Sequence, residues 1–255
     1  MMGRLEDKVI LVTGAAAGLG REYAVRLAQE GAKLALADIN DCADTAARCA
    51  QAAQGSDPLT LSVDVSDEEQ TKGMARRTHD HFGRIDGLLN NAGMMRGLAV
   101  KSLLDVDMEV WDRVYAVNAR GTFLGIRAVF PYMRDQKSGT IVNVGSGSTL
   151  RIARAVDNLN PHYTSSKAAI ANITRIVARE LGAYNINVVT IAPGSTTSDR
   201  DQALAQGEAY PEPEAALQRR GVPSDLTGVM AFLFSEDARF ISGQMIVVNG
   251  GREVY

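Results

Sequence analysis

Short runs rich in valine, isoleucine and leucine alternate along this chain with longer, alanine-rich segments of helical period. The runs read "KVILVT", "KLALAD", "LTLSVD", "IDGLLNN", "GTIVNVGS", "INVVTIAPG" and "QMIVVNGG". Between them, helical spacing covers 18–30, 41–54, 67–82, roughly 107–135, 162–182 and 223–234. Runs this uniformly apolar suit strands buried on both faces, and a helix between successive strands makes each connection a right-handed βαβ unit. The pattern predicts an α/β fold, a doubly wound, seven-stranded parallel sheet with helices on both faces. One such sheet uses all 255 residues, and 45% hydrophobic residues supply its core, so a single domain over 1–255 is expected. The one long irregular stretch, 195–221, is rich in Gly, Pro, Gln and charge and reads as a lid.

Several function classes are disfavoured at once. The formal net charge is −3, and the basic pairs Arg76-Arg77 and Arg219-Arg220 are too short for a nucleic-acid stripe. Cys42 and Cys49 read as small packing residues in a reducing compartment, and His79, His81 and His162 lack zinc-type spacing, so no metal is expected. No apolar run reaches the length of a membrane span, and "MMGRLEDKVILVTG" enters a strand pattern without a signal-peptide layout. A cytoplasmic protein with neither nucleic-acid nor membrane partners is expected.

In open parallel sheets ligands bind beyond the carboxyl ends of the strands. The residues at those ends are Gly14, Asp38, Asp64, Asn90, Ser146 and Pro193, a polar and glycine-rich set on one predicted edge. "TGAAAGLG", Thr13 to Gly20, follows the first strand and opens a helix, where glycines let the backbone approach a pyrophosphate and helix N-terminal amides attract it. Asp38 ends the next strand. Its carboxylate can accept from both ribose hydroxyls but repels a 2′-phosphate, and Ala17 puts no cation in the turn, so NAD is favoured over NADP. A plain turn or helix-start role for Asp38 is the competing reading.

"NPHYTSSKAAI" places Tyr163 and Lys167 at i and i+4, about 6 Å apart along one helical face. Such a pair is often only a helix start. It is also what proton transfer needs: bringing a phenol from about 10 to about 7 takes about 4 kcal/mol of differential interaction, which a buried ammonium and a second cation can supply.

The glycine spacing T-G-x-x-x-G-x-G, "NNAG" at 90–93 and Y-x-x-x-K at 163–167 together resemble the short-chain dehydrogenase/reductase family. The likeness runs from "DKVILVTGAAAGLG" through "VNVGS" and "NVVTIAPG" to "EDARFISGQMIVVNGG", nearly the whole chain. It implies a Rossmann-type domain in which Tyr163 is the general acid/base, Lys167 holds the nicotinamide ribose and, together with the charge of the oxidised nicotinamide, lowers the phenol's pKa, Ser146 bonds the substrate oxygen and Asn118 anchors a water-mediated relay to the lysine. Ser148 is a lesser candidate for the serine role. The resemblance further implies that Gly14, Ala17, Gly18, Leu19 and Gly20 cradle the cofactor, with Asp38 and Ile39 at its adenosine ribose. Asp64 and Val65 then address the adenine, and Asn90, Ala92 and Gly93 the ribose side. Pro193, Gly194, Thr196 and Ser198 of "PGSTTS" meet the carboxamide, with Thr197 competing with Ser198 for the hydroxyl contact, while Asn91 braces the sheet. A homotetramer built on the long helices after 107 and 162 is implied as well. The chain departs from the family pattern in three places: Ser146 and Tyr163 are seventeen positions apart, longer than is usual, Ser198 stands where a threonine is usual late in the "PG" motif, and the tail reads "VNGG" where "VDGG" is common.

Met94, Met95, Leu150, Ile152 and Tyr210 are expected to wall a mostly apolar substrate space, with Arg96, Arg151 and Arg154 as an alternative anion clamp. The loop and "VPSDLTG" at 222–228 are similar to members that oxidise secondary alcohols such as 1-phenylethanol. The expected reaction is NAD-dependent interconversion of a secondary alcohol, apolar, aromatic or cyclic, and its ketone. Reduction of a 3-oxoacyl thioester and a non-catalytic, redox-sensing nucleotide module are the competing readings.

Overall fold

The apolar runs become strands where the period placed them, in a computed structural model that describes residues 3–53, 57–95, 97–150, 160–197 and 211–253. The first half contains β1 (Val9–Thr13), α1 (Gly18–Gln29), β2 (Lys33–Asp38), α2 (Ala43–Ala52), β3 (Leu59–Ser62), α3 (Glu68–Phe82) and β4 (Gly87–Asn90). The second contains α4 (Met108–Tyr115), α5 (Gly121–Gln136), β5 (Gly139–Val144), α6 (Pro161–Leu181), β6 (Ile186–Pro193), α7 (Pro223–Phe234) and β7 (Met245–Val248). The helix expected over 107–135 is interrupted: a π-helical turn, Ala116–Arg120, joins α4 to α5. Of the expected lid, only 195–197 and 211–221 fall within the described residues, and Arg96, Arg151, Ile152, Arg154, Ser198 and Tyr210 lie outside them.

The strands form one seven-stranded sheet in the order β3-β2-β1-β4-β5-β6-β7, every neighbouring pair parallel. The chain builds outward from β1 to β3 and then returns to lay β4 on the other side of β1. That reversal opens a crevice beyond the tips of β1 and β4.

Successive strand residues point to opposite faces, so each strand feeds two cores. Ile10, Val12, Leu34, Leu36, Val142 and Ile191 pack with Tyr23 and Leu27 of α1 and Met230 and Leu233 of α7. Leu11, Ala35, Leu88, Ile141 and Val188 face the other way, against Met74 of α3, Ile126 and Met133 of α5 and Val177 of α6. Because both faces of the central strands are covered, those strands show no polar alternation and their runs read as continuous, whereas the edge strand β3 leaves Thr60 and Ser62 exposed.

α5 crosses β4 so closely that only glycine fits at 125, where a Cβ would stand 2.4 Å from Asn90 Oδ1. Gly73, within α3, faces open space with nothing within 4 Å. Gly125→Ala is expected to destabilise by roughly 1–3 kcal/mol through overpacking, while Gly73→Ala is expected to stabilise by about 0.5–1 kcal/mol, both read from denaturant unfolding midpoints.

Candidate active site

The turn after β1 is shaped by glycines that no other residue replaces. Gly14 and Gly18 have φ of +66° and +64°, and a Cβ on Gly20 would lie 2.0 Å from the Gly14 carbonyl oxygen. The neighbouring strand clasps this turn from the far side of the crevice. Asn91 Nδ2 donates to the carbonyls of Thr13 (3.1 Å) and Gly14 (3.0 Å), and Thr13 Oγ1 accepts from the amides of Asn91 (3.1 Å) and Ala92 (3.2 Å). α1 then starts at extended Ala17 with no described side chain capping it, which suits a ligand anion at its amide end. The strand–turn–helix geometry, with no room for a Cβ where a pyrophosphate would lie, fits a dinucleotide.

Asp38 ends β2 beside the glycine turn. It is buried, its Oδ2 accepts from the Ala16 amide (3.0 Å), and its Oδ1 accepts from the Asn40 amide (2.9 Å) and Nδ2 (3.2 Å). Asp38 therefore braces the glycine turn as well as carrying its charge to the cleft, and exposed Ile39 stands beside it. Asp64 is engaged in turn chemistry, with Oδ1 accepting from Ser66 N (2.8 Å) and Oγ (2.7 Å), while Val65 is packed against Gly121. The Asn90 side chain is turned into the sheet: its buried Nδ2 donates to Asn143 Oδ1 (2.8 Å) and the Thr122 carbonyl (3.3 Å). Only its backbone remains for a ribose, because the side chain pairs inside the sheet.

The four residues expected to act on substrate converge at the neighbouring strand tips. Pro161 opens α6, putting Tyr163 in its first turn and Lys167 one turn on, both on its buried face. Lys167 Nζ donates to the Val144 carbonyl at the end of β5 (2.8 Å) and lies 6.0 Å from the Tyr163 ring centroid. The Ser146 hydroxyl lies near enough to the Tyr163 phenol to favour its ionised form. Asn118 sits in the π-helical turn, accepts from the Met94 amide (2.7 Å) and donates to the Met94 carbonyl (3.1 Å) and Ser166 Oγ (3.0 Å). Gly93 lies between Asn118 and Lys167, where a Cβ would come 3.2 Å from Asn118 Oδ1 and 3.4 Å from Lys167 Nζ. Leu98 and Val114 pack on Tyr163, with Met94 and Val110 beside them, which makes this side of the space apolar.

The phenol is not acidified by the chain alone. Burial pushes the Tyr163 pKa up, and the Ser146 hydroxyl only partly opposes this. Burial likewise lowers Lys167 to about 8, so its ammonium is itself under strain. Burial governs the phenol here, and lowering it calls for the second positive charge expected alongside Lys167. His162, one residue before Tyr163, is buried against Trp111 at 6.2 Å between ring centroids, and burial lowers its pKa. Cys42 and Cys49 are free, and burial raises them to about 11 and about 12, which leaves them inert thiols. Among the described residues no group of His, Cys, Asp and Glu is arranged to hold a metal, and no helix is long and apolar enough to cross a membrane.

Several supporting residues escaped the sequence reading. Asn143 Nδ2 donates to Thr174 Oγ1 (2.9 Å), which pairs with Thr190 Oγ1 (2.8 Å), tying α6 to β5 and β6 beneath the site. Their signal was present as single polar residues inside the runs "IVNV" and "VVTI". On the nicotinamide side, Thr197 is buried and bonds the Gly221 carbonyl through its amide (2.9 Å) and Oγ1 (3.2 Å), while Thr196 Oγ1 donates to the Gly194 carbonyl (3.1 Å). Pro193 ends β6, and Gly194 passes so near the tail that a Cβ would meet Asn249 at 2.7 Å. Asn249, the departure in "VNGG", donates to Glu253 Oε2 (2.8 Å) and accepts from the Gly251 amide (2.9 Å), and Arg252 pairs with Glu214 (2.9 Å).

The buried ammonium has a thermodynamic signature. Lys167 moves from 10.5 to about 8 on folding, so below about 8 both states hold the proton and folding carries the full cost of burying it. Between about 8 and 10.5 only the unfolded state stays protonated, and the stability contributed at this position rises with pH. Lys167→Met is expected to melt above the parent at pH 7, with the gap closing through that window. A lower melting temperature at pH 7 would show that the Val144 bond outweighs the buried charge.

Comparison with known proteins agrees with this geometry. Residues 14–253 match the family described as Enoyl-(Acyl carrier protein) reductase. Levodione reductase of Leifsonia aquatica is 35% identical over 98% of this chain and 95% of its own, and cyclopentanol dehydrogenase of Comamonas testosteroni is 35% identical over 98% of both. The crystal structure of a short-chain type dehydrogenase/reductase from Mycobacterium marinum superposes with a TM-score of 0.88 at 32% identity, covering 98% of this chain and 97% of that one. The family match over residues 14–253 and this likeness to such enzymes over nearly the whole chain, in sequence and in fold, make the protein a member of the short-chain dehydrogenase/reductase family of oxidoreductases.

Proposed function

We propose that the protein interconverts an apolar secondary alcohol and its ketone with NAD. The observation that carries this reading is the convergence of the Tyr163 phenol, the Ser146 hydroxyl and the Lys167 ammonium at the strand tips, against the apolar wall of Leu98, Val114 and Met94. The two relatives support the substrate class, one named as a reductase of levodione and the other as a dehydrogenase of cyclopentanol, a cyclic secondary alcohol. NAD rather than NADP is supported by the Asp38 carboxylate. Arg21 does not offset it, being engaged with the Ala16 carbonyl (2.9 Å) and Asp44 (3.4 Å).

Bound in the crevice, the nicotinamide supplies the hydride acceptor for oxidation or the donor for reduction, and its oxidised form adds positive charge near the phenol. Gly14, Ala17, Gly18, Leu19 and Gly20 hold the pyrophosphate, Asp38 and Ile39 the adenosine ribose, and Asp64 and Val65 the adenine. Asn90, Ala92 and Gly93 would offer backbone to the ribose side, Lys167 would bond the nicotinamide ribose, and Pro193, Gly194 and Thr196, with Ser198 outside the described residues, would receive the carboxamide. During oxidation Ser146 donates to the substrate oxygen while Tyr163, as phenolate, takes its proton; during reduction Tyr163 returns it. Lys167 favours the phenolate electrostatically, and Asn118 fixes Met94 and α6 around it, at the position from which a water relay would reach the lysine.

The same reading makes the protein a cytoplasmic homotetramer. Large apolar side chains exposed on the outer helices support assembly, among them Phe123 of α5 (41%) and Ile176 of α6 (65%). Light scattering tests it, and the mass of a single chain would overturn it.

A panel of secondary alcohols followed by NADH fluorescence is expected to give turnover with apolar members such as 1-phenylethanol or cyclopentanol, and far less with NADP. No NADH from any alcohol and no NADH consumption with any ketone would overturn the reading. Preference for NADPH and a 3-oxoacyl thioester would replace it with the carrier-protein chemistry for which the matched family is described. Tyr163→Phe is expected to keep NAD affinity and lose about 10²–10⁴-fold in kcat, the usual contribution of a general acid/base. Near-parental turnover in that variant would remove Tyr163 from the mechanism.

A further inference from the structure

Ser146 has more partners than a hydrogen-bond donor to substrate requires. Ser148, two residues on, donates its amide to Ser146 Oγ (3.2 Å) and brings its own Oγ to 2.9 Å from it. A tight turn, Gly147–Leu150, enforces this approach, with the Ser146 carbonyl accepting from Thr149 N (3.3 Å) and Oγ1 (2.9 Å). Gly147 makes the turn possible, since a Cβ there would meet Glu253 Oε2 and the Pro193 carbonyl, each at 3.3 Å. The Ser146 hydroxyl also faces the Tyr163 phenol, whose ionised form it favours.

We propose that Ser148 is a positioning residue that sets the direction of the Ser146 hydroxyl, so that Ser146 meets the reacting oxygen as a donor. The inference rests on the dehydrogenase reading above. A serine hydroxyl has one proton and two acceptor sites. The Ser148 amide fills one site, so the Ser148 hydroxyl and the phenol share the other site and the proton. Only two arrangements of the three hydroxyls satisfy every partner. In one the protons run from Ser148 to Ser146 to the Tyr163 oxygen; in the other they run back, from phenol to Ser146 to Ser148.

Charge decides between them. A phenolate, or a substrate oxygen gaining negative charge, can only accept, which forces the outward direction with Ser148 as its first donor. Charge-assisted hydrogen bonds are roughly twice as strong as neutral ones, and aligned donors polarise each other, so the Ser148 proton stabilises the charged state more than its oxygen stabilises the neutral one. The other groups around Tyr163 do not compete for this role. Lys167 is bonded to Val144, His162 is stacked on Trp111, Glu253 is held by Asn249, and Leu98, Val114, Met94 and Val110 are apolar.

Ser148→Ala tests this, with Ser148→Thr keeping the hydroxyl. In Ser148→Ala, kcat for alcohol oxidation is expected to fall about tenfold, the equivalent of one good hydrogen bond, with KM for NAD unchanged. The acidic limb of the pH profile of kcat/KM is expected to move to higher pH by roughly half a pH unit, and Ser148→Thr to restore both. Parental kcat and an unmoved limb in Ser148→Ala would overturn the proposal, as would a loss of kcat with the limb fixed and no rescue by threonine, which marks a packing role. Should the parent turn nothing over, the dehydrogenase reading fails separately. The phenolate absorbance lost in Tyr163→Phe then reports the same ionisation without turnover, and an identical midpoint in Ser148→Ala overturns the inference.

Discussion

The bond from the Lys167 ammonium to the Val144 carbonyl holds the site together. Val144 is the last residue of β5 and Ser146 stands two beyond it, while Lys167 shares a helix face with Tyr163. A single 2.8 Å contact therefore sets the serine against the tyrosine across two elements distant in sequence. Burying an ammonium with one carbonyl partner opposes folding, and burial drives its pKa down accordingly. A group kept at such cost belongs to function more readily than to stability.

Beneath this contact, Asn90, Asn143, Thr174 and Thr190 form a buried chain through β4, β5, α6 and β6. Apolar residues would fill that space with less desolvation, but they would let α6 slide along the sheet. Directional hydrogen bonds admit one register, and hydride transfer demands that the reacting groups stay within a fraction of an ångström. The crevice is held in the same manner: Thr13 and Asn91 lock the glycine turn to the tip of β4, so that turn and the group of Ser146, Tyr163 and Lys167 belong to one rigid edge.

Electrostatically the site is poised rather than charged. The phenol is pushed toward its neutral form and the ammonium toward its own, both by burial. Proton transfer then depends on what enters the cleft, and a cationic nicotinamide would tip the balance that Lys167 alone does not. The departure "VNGG" fits the same frame, because Asn249 anchors Glu253 against the turn that presents Ser146.

The sequence by itself determined the strand count, the parallel sheet, the glycine turn with Asp38 in register, and the Tyr163–Lys167 pair. Each is local: hydrophobic period, positive-φ glycine and i,i+4 spacing are properties of a few consecutive residues. The tertiary structure decided what those residues touch. It turned the Asn90 side chain into the sheet, engaged Asp64 with Ser66, interrupted the long helix with a π-helical turn at Asn118, and buried the Tyr163 phenol deeply enough to raise its pKa. It also brought Ser148 onto Ser146 and Thr174 onto Asn143. Desolvation and hydrogen-bond pairing depend on neighbours far away along the chain, and only folding chooses those neighbours.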